Sequence, residues 1–166
     1  MNSHRNKPAA PPAKQLPNEV LLPEAARLIS EGHTVTLTVR GNSMNPFLRD
    51  RRDRIVLGAL SDDRLRPGRA VLARETGGRI LFHRIIARNA DTLTLRGDGN
   101  LHGTEQTTVA DVMGCLIAAI RHERRYAADG WVWRLYSACW MHLPCLGRRC
   151  LLALYRRLFL PRSNNR

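Results

Sequence analysis

Lysine is nearly missing from this chain. Of its 27 basic residues only Lys7 and Lys14 are lysines, and the rest are arginines. A guanidinium keeps its proton at any ordinary pH, so it is a poor general base. Chemistry that needs a neutral lysine amine inside a folded domain is therefore excluded beyond residue 14. Cysteine is sparse: Cys115, Cys139, Cys145 and Cys150 in 166 residues do not make a disulfide framework. Three of them crowd around His142, but their spacing is not that of metal ligands, so they read as core or interface thiols. No metal or cofactor is expected. No Gly-rich phosphate loop is present. No run of about 18 apolar residues exists, which excludes a transmembrane helix. The segment MNSHRNKPAAPPAK has no apolar stretch of the kind a secretory signal needs. The expected place is the cytoplasm or the surface of the cytoplasmic membrane.

What remains is a basic chain with material for a core. Hydrophobic residues make up 43%, and the formal net charge is +13. The surplus is uneven. Residues 19–120 carry 14 basic and 12 acidic groups, whereas residues 121–166 carry 10 basic and 2 acidic ones. Three parts follow: a Pro- and Ala-rich arm over 1–18, a balanced β domain over 19–121, and a basic helical tail over 122–166. A basic tail meets nucleic acid or an anionic membrane. No nucleic-acid-binding module accompanies the charge, so nucleic acid is not favoured.

The middle reads as short strands between Gly- and Pro-marked turns. PEAARLISE (23–31) predicts a helix with Pro at its start. From residue 33 the pattern turns to period two, with Val35, Leu37 and Val39 on one face. RIVL (54–57), RAVLAR (69–74), RILFHRIIAR (79–88), TLTLR (92–96) and VMGCLIAAI (112–120) predict further strands. Thr76-Gly77-Gly78 predicts a hairpin. GDGNLHGTEQTT and HERRYAADG read as polar connections. The fold class expected is mainly β: a coiled antiparallel sheet or small barrel followed by C-terminal amphipathic helices.

In the tail, Trp133, Tyr136, Trp140 and Leu143 share one helical face. A second helix, from residue 148 to 160, puts Leu151, Leu154, Tyr155 and Leu158 on one side and Arg149 and Arg156 on the other. Arginines facing aromatics and leucines fit a helix lying in a membrane surface, with Trp133, Trp140, Arg149 and Arg156 as contacts. Packing on the chain's own core and docking on a protein partner fit the same pattern.

One segment carries candidate chemistry. Gly41-Asn42-Ser43-Met44-Asn45-Pro46-Phe47-Leu48 stands where a strand ends, and a serine there has turn N–H groups beside it. The pattern G-x-S-M-x-P-x-L resembles the nucleophile box of type I signal peptidases, and its front half resembles that of the related self-cleaving repressors. Phe82-His83-Arg84-Ile85-Ile86 is similar to the base box of the signal-peptidase branch in which histidine replaces lysine. Arg96-Gly97-Asp98-Gly99-Asn100 is similar to that branch's Gly-Asp box, and Asp111-Val112-Met113-Gly114 to the start of its last core strand. The four boxes span roughly residues 34–120 in the family's order.

The resemblance implies the sheet of signal peptidases and repressor proteases, and a serine endopeptidase acting on a signal-type or leader peptide. It implies Ser43 as nucleophile and His83 as general base, with Asp98 orienting His83 and Asp111 as the alternative. The absence of core lysine agrees with a histidine base, whose ordinary pKa of about 6.5 suits neutral pH. The family's usual serine two residues before the nucleophile is Gly41 here. The oxyanion therefore falls to the Ser43 N–H and the Asn42 amide. Met44 and Val39 are candidates for the substrate pocket, and His102 is the only other histidine near the site. A self-cleaving repressor is disfavoured, since no Ala-Gly or Cys-Gly bond is present. The alternative is a weakly active or inactive protein on this scaffold, binding membrane, peptide or nucleic acid through its basic C-terminus.

Overall fold

The computed structural model describes residues 18–159. The arm expected over 1–18 lies, apart from Asn18, outside the described residues. The chain runs through α1 (Asn18–Ser30), β1 (Val35–Thr38), β2 (Arg54–Gly58), β3 (Ala70–Arg74) and β4 (Ile80–Asn89). It continues through β5 (Thr92–Arg96), β6 (Glu105–Thr108), β7 (Val112–Arg121), β8 (Arg124–Ala127), α2 (Trp131–His142) and α3 (Cys145–Phe159). All pairings are antiparallel, in the order β1-β2-β7-β3-β4-β5-β6, with β8 added on β7. The sheet curls into a half-barrel whose path stays open at β1 and β6.

The curl comes with irregular register. β2, β3 and β4 each shift against a partner, and such bulges bend a strand and increase its twist. The two faces carry two cores. On one, Leu72, Leu116, Leu37 and Ile55 pack with Ile29 of α1, Phe47 and Leu48 of the β1–β2 loop, and Trp133 of α2. On the other, Val71, Ala73, Ile85, Leu93 and Leu95 pack with Leu65 and Val112. Each fully buried side chain of this size contributes about 1.5–3 kcal/mol by leaving water.

Several expectations are corrected in detail. α1 begins five residues before Pro23, because Ala25 and Ile29, with Leu21 and Leu22, dock on the sheet and offset the hydrogen bond Pro23 cannot make. The stretches read as polar connections contain strands. β6 is the sequence EQTT on a sheet edge, where short polar strands are favoured because they discourage further pairing. β8 follows a tight turn in which His122 and Glu123 both take positive φ without the usual Asn or Gly. The boundary expected at 121/122 does not separate two packed units, since β8 extends the sheet and Trp133, 1% exposed, sits in the main core.

The tail splits in its behaviour. α2 turns Trp133, Tyr136 and Trp140 inward, so two of the four expected membrane contacts, Trp133 and Trp140, are core residues. α3 starts at Cys145, directly after Pro144, and packs through Arg148 and Leu152. Its Leu151, Leu154, Leu158 and Phe159 face outward, as do Leu146 on the same helix and Trp131 and Leu135 on α2. Among the described residues no helix is long and apolar enough to cross a membrane.

Candidate functional site

The β1–β2 loop holds Ser43 by its own chemistry. Gly41 takes φ +84°, a conformation that strains any residue with a Cβ, and donates its N–H to the Asp50 carboxylate at 2.8 Å. Asn45 donates its N–H to the Asn42 carbonyl at 3.2 Å and its side-chain amide to Asn42 Oδ1 at 3.1 Å. The Asn45–Pro46 bond is cis. The exit of the loop is fixed by Asp53, fully buried, which accepts from Arg52 Nε at 2.7 Å and from the Arg49 N–H at 2.9 Å. Phe47 is gripped by α2, with ring centroids 5.0 Å from Trp133 and 4.6 Å from Tyr136. Aromatic pairs at such distances add about 0.5–1.5 kcal/mol beyond area burial.

The β5–β6 loop closes on Ser43 from the opposite side. Gly99 donates its N–H to the Ser43 carbonyl at 2.7 Å. The approach is so close that a Cβ on Gly97 would lie 2.5 Å from that carbonyl oxygen and 3.0 Å from His83 Nε2. His83 Nε2 and the Ser43 carbonyl thus border the same small space, which only glycine leaves open. No hydrogen bond joins Ser43 Oγ to His83. Among the described residues nothing accepts from the backbone N–H of Ser43 or Met44 either, so both are free to donate to a developing oxyanion. Asn42 Oδ1 accepts from the Asn45 amide, which leaves the Asn42 NH2 group as a donor.

His83 stands on β4 opposite Val71 of β3, 5% exposed. Its Nδ1 lies 2.9 Å from Glu105 Oε2 on β6. Against an ionised carboxylate, which only accepts, Nδ1 is the donor, and in the neutral ring Nε2 then keeps its lone pair on the Ser43 side. Both orienting acids expected from sequence are thereby corrected. Asp98 accepts from Arg84 Nε and Nη2, each at 2.8 Å, and from the Tyr136 hydroxyl at 2.7 Å. Asp111 is exposed and accepts from Thr108 Oγ1 at 2.6 Å. The reason is alternation along β4. His83 and Arg84 point to opposite faces, and Asp98 follows Arg84 while Glu105 follows His83. Glu105 left no motif; the only signal available was its place as an acid that β6 pairing returns to β4's neighbour.

Asp98 acts on the site at one remove. Arg84 is 1% exposed and also donates Nη1 to the Gly68 carbonyl at 2.6 Å and to Ser137 Oγ at 2.5 Å. Its guanidinium lies 4.9 Å from the Trp133 ring centre. Burial opposes its charge, but the Asp98 carboxylate more than reverses this and holds it above the ordinary arginine range. Burial, and then Asp98, push the Tyr136 hydroxyl well up, so it stays a donor. This network ties the Gly97–Asn100 turn to β4 and α2, and so positions the turn that clamps Ser43.

Other expected residues lie elsewhere. Met44 and Val39 are buried in the main core and do not wall an open pocket. His102 is exposed on the loop before β6. Among the described residues no group of histidine, cysteine, aspartate or glutamate could hold a metal ion. A cleft of about 420 Å³ opens between the β3 start and α2, lined by Arg66, Arg69, Arg134, Ser137 and His142 among others, on the far side of Arg84 from His83. No model of a known protein family matches the chain, and no curated protein sequence matches it.

Proposed function

We propose that the chain is a serine endopeptidase in which Ser43 attacks a peptide carbonyl and His83 accepts the serine proton. The observation that carries this reading is the held imidazole: Glu105 fixes Nδ1, and Nε2 borders the space beside Ser43. In the reaction, Ser43 Oγ bonds to the carbonyl carbon as His83 Nε2 takes its proton. The carbonyl oxygen becomes an oxyanion facing the N–H groups of Ser43 and Met44. The protonated His83 then gives its proton to the departing amine, leaving an acyl-enzyme. Water, deprotonated by His83, cleaves the ester and restores Ser43. Glu105 stabilises the imidazolium. Ser43 Oγ must rotate or shift to meet Nε2, a movement that substrate binding supports in many such sites.

The four boxes on this curled sheet support a signal-peptidase-like enzyme acting on signal-type or leader peptides. The outward leucines of α3, next to the exposed Arg149 and Arg157, support attachment to an anionic membrane surface. Gly41, where the family's serine hydroxyl would stand, supports a second reading: a slow or inactive peptidase scaffold that binds membrane or peptide. Losing one oxyanion donor costs about 10²–10³ in rate. A fluorophosphonate probe and a defined signal-type peptide distinguish the two. Labelling at Ser43 and turnover, both lost in Ser43→Ala and His83→Ala with the fold intact, are expected. Equal turnover by Ser43→Ala refutes the enzyme.

A further inference from the structure

Two arginines brace the cleft that opens between the β3 start and α2. Arg84 Nη1 donates to the Gly68 carbonyl at 2.6 Å and to Ser137 Oγ at 2.5 Å, so it fastens the turn before β3 to α2. Arg69 Nη1 donates to the Ala128 carbonyl at 2.8 Å, and its Nη2 pairs with Asp129 at 2.5 Å, so it fastens the same turn to the link between β8 and α2. Gly68, Arg69, Ala128 and Ser137 all line the cleft. Its walls are thus tied to one another, and its volume of about 420 Å³ is present before anything enters. Pockets of about 300–1,000 Å³ are the usual size for holding small molecules. The lining is divided by chemistry. Trp133 and Met141 supply a buried to half-buried apolar wall, while the exposed Arg66, Arg134 and His142 stand at the mouth. No lining residue is an acid, and the adjoining Asp129 is engaged by Arg69. Among the described residues neither Arg66 nor Arg134 forms an ion pair. His142 Nδ1 lies 2.9 Å from the Ala138 carbonyl, which only accepts, so Nδ1 is the donor there and Nε2 is left for other partners.

We propose that this cleft binds a small amphiphilic anion, an oxyanion head joined to an aliphatic or aromatic body. Arg66 on the β3 side and Arg134 on the α2 side offer the head forked N–H donors, which make charge-assisted hydrogen bonds to such a group. The body leaves water against Trp133 and Met141. A bare inorganic ion would leave that wall wet, and an uncharged apolar molecule would leave both guanidiniums unanswered, so the lining selects for the two features together. The ligand would also sit against Gly68 and Ser137, the two groups that Arg84 Nη1 holds. Arg84 carries Asp98 on its other nitrogens, so the cleft and the turn that clamps Ser43 share one brace. Binding itself stands apart from catalysis and survives if Ser43 proves unreactive.

The test titrates decanoate into the full chain by calorimetry, below the concentration at which decanoate forms micelles. Saturable binding to the wild type is expected. Arg134→Glu should weaken the affinity about tenfold or more, and Ala138→Trp, which fills the cleft from an exposed position on α2, should abolish it. Decanol has the same body without the charge and should bind at least about tenfold more weakly. Arg157→Glu makes the same charge change on the exposed side of α3 and should leave the affinity as it is. Should Ala138→Trp fail to fold, the comparison of Arg134→Glu with Arg157→Glu decides. The proposal is overturned if the wild type shows no saturable binding, or if decanol binds as tightly as decanoate. It is overturned equally if Arg134→Glu and Arg157→Glu lose affinity alike, which would place the ligand on the outward leucines of α3.

Discussion

Replacing Glu105 by glutamine isolates the charge that holds His83. The Nδ1–Oε2 contact is 2.9 Å, and the two side chains are only 7% and 15% exposed, so solvent screens the pair weakly. A hydrogen bond to a charged group in such a place is worth about 1.5–3 kcal/mol. Glutamine keeps the shape but removes the charge that stabilises the imidazolium, which alone lowers kcat by about ten- to a hundredfold. Its amide can also donate to Nδ1, which moves the ring proton to Nε2 and disarms the base. An inverted tautomer of this kind costs about 10⁴ in serine proteases with an aspartate in that role. Two readouts separate the effects: kcat on a defined peptide, and the ¹⁵N signals of the His83 ring. In the wild type Nδ1 should be the protonated nitrogen at high pH. In Glu105→Gln, kcat should fall by at least ten times and the nitrogen pattern should change. Asp98→Asn, where it folds, should leave the ring pattern intact. If Glu105→Gln keeps both kcat and the pattern while Asp98→Asn loses them, the assignment of Glu105 is wrong.

Arg84→Met should cost about 3–5 kcal/mol in a denaturant titration, because it strands the Asp98 carboxylate in a buried site; a loss under 1 kcal/mol would remove the network from its positioning role. Gly97→Ala should abolish reaction of Ser43 with a fluorophosphonate while strands β1 to β4 stay folded by circular dichroism, since its methyl would collide with the Ser43 carbonyl; full labelling would show that the two loops do not touch. Burial pushes the Cys115 thiol up and keeps it protonated at pH 8, whereas Cys139, Cys145 and Cys150 are exposed. Iodoacetamide followed by mass spectrometry should therefore modify those three in the native chain and Cys115 only after unfolding, and early modification of Cys115 would contradict the core described on that face.

Local pattern was sufficient wherever a strand buries one face. The alternation at Val35–Thr38, the Gly-Gly turn between β3 and β4, and the short turn into Thr92–Arg96 were all legible, because period two and turn residues are properties of neighbouring positions. β6 and β8 were not. EQTT and RRYA are too polar to announce a strand, and each is held in place by the partner it meets. The α2 face Trp133–Tyr136–Trp140 was legible as a face, but its destination was not: periodicity says that a stripe is apolar and leaves open whether Phe47 or lipid covers it. α3 shows the limit most clearly. Its leucine row fitted a membrane surface, the chain's own core or a partner equally by periodicity; in the structure Leu151, Leu154 and Leu158 face outward, and it is Arg148 and Leu152 that face the body of the protein.

The sequence by itself determined the chemistry available: no lysine base in the core, a serine at a strand end, a histidine on a strand, a curled sheet with helices after it. Those follow from composition and from short-range spacing, which one chain displays in full. Only the tertiary structure decided which acid serves His83, because Glu105 and Asp98 are separated from it by loops whose course local pattern does not encode. Side-chain alternation on β4 sends His83 and Arg84 to opposite faces, and the register of β5 and β6 then delivers one carboxylate to each.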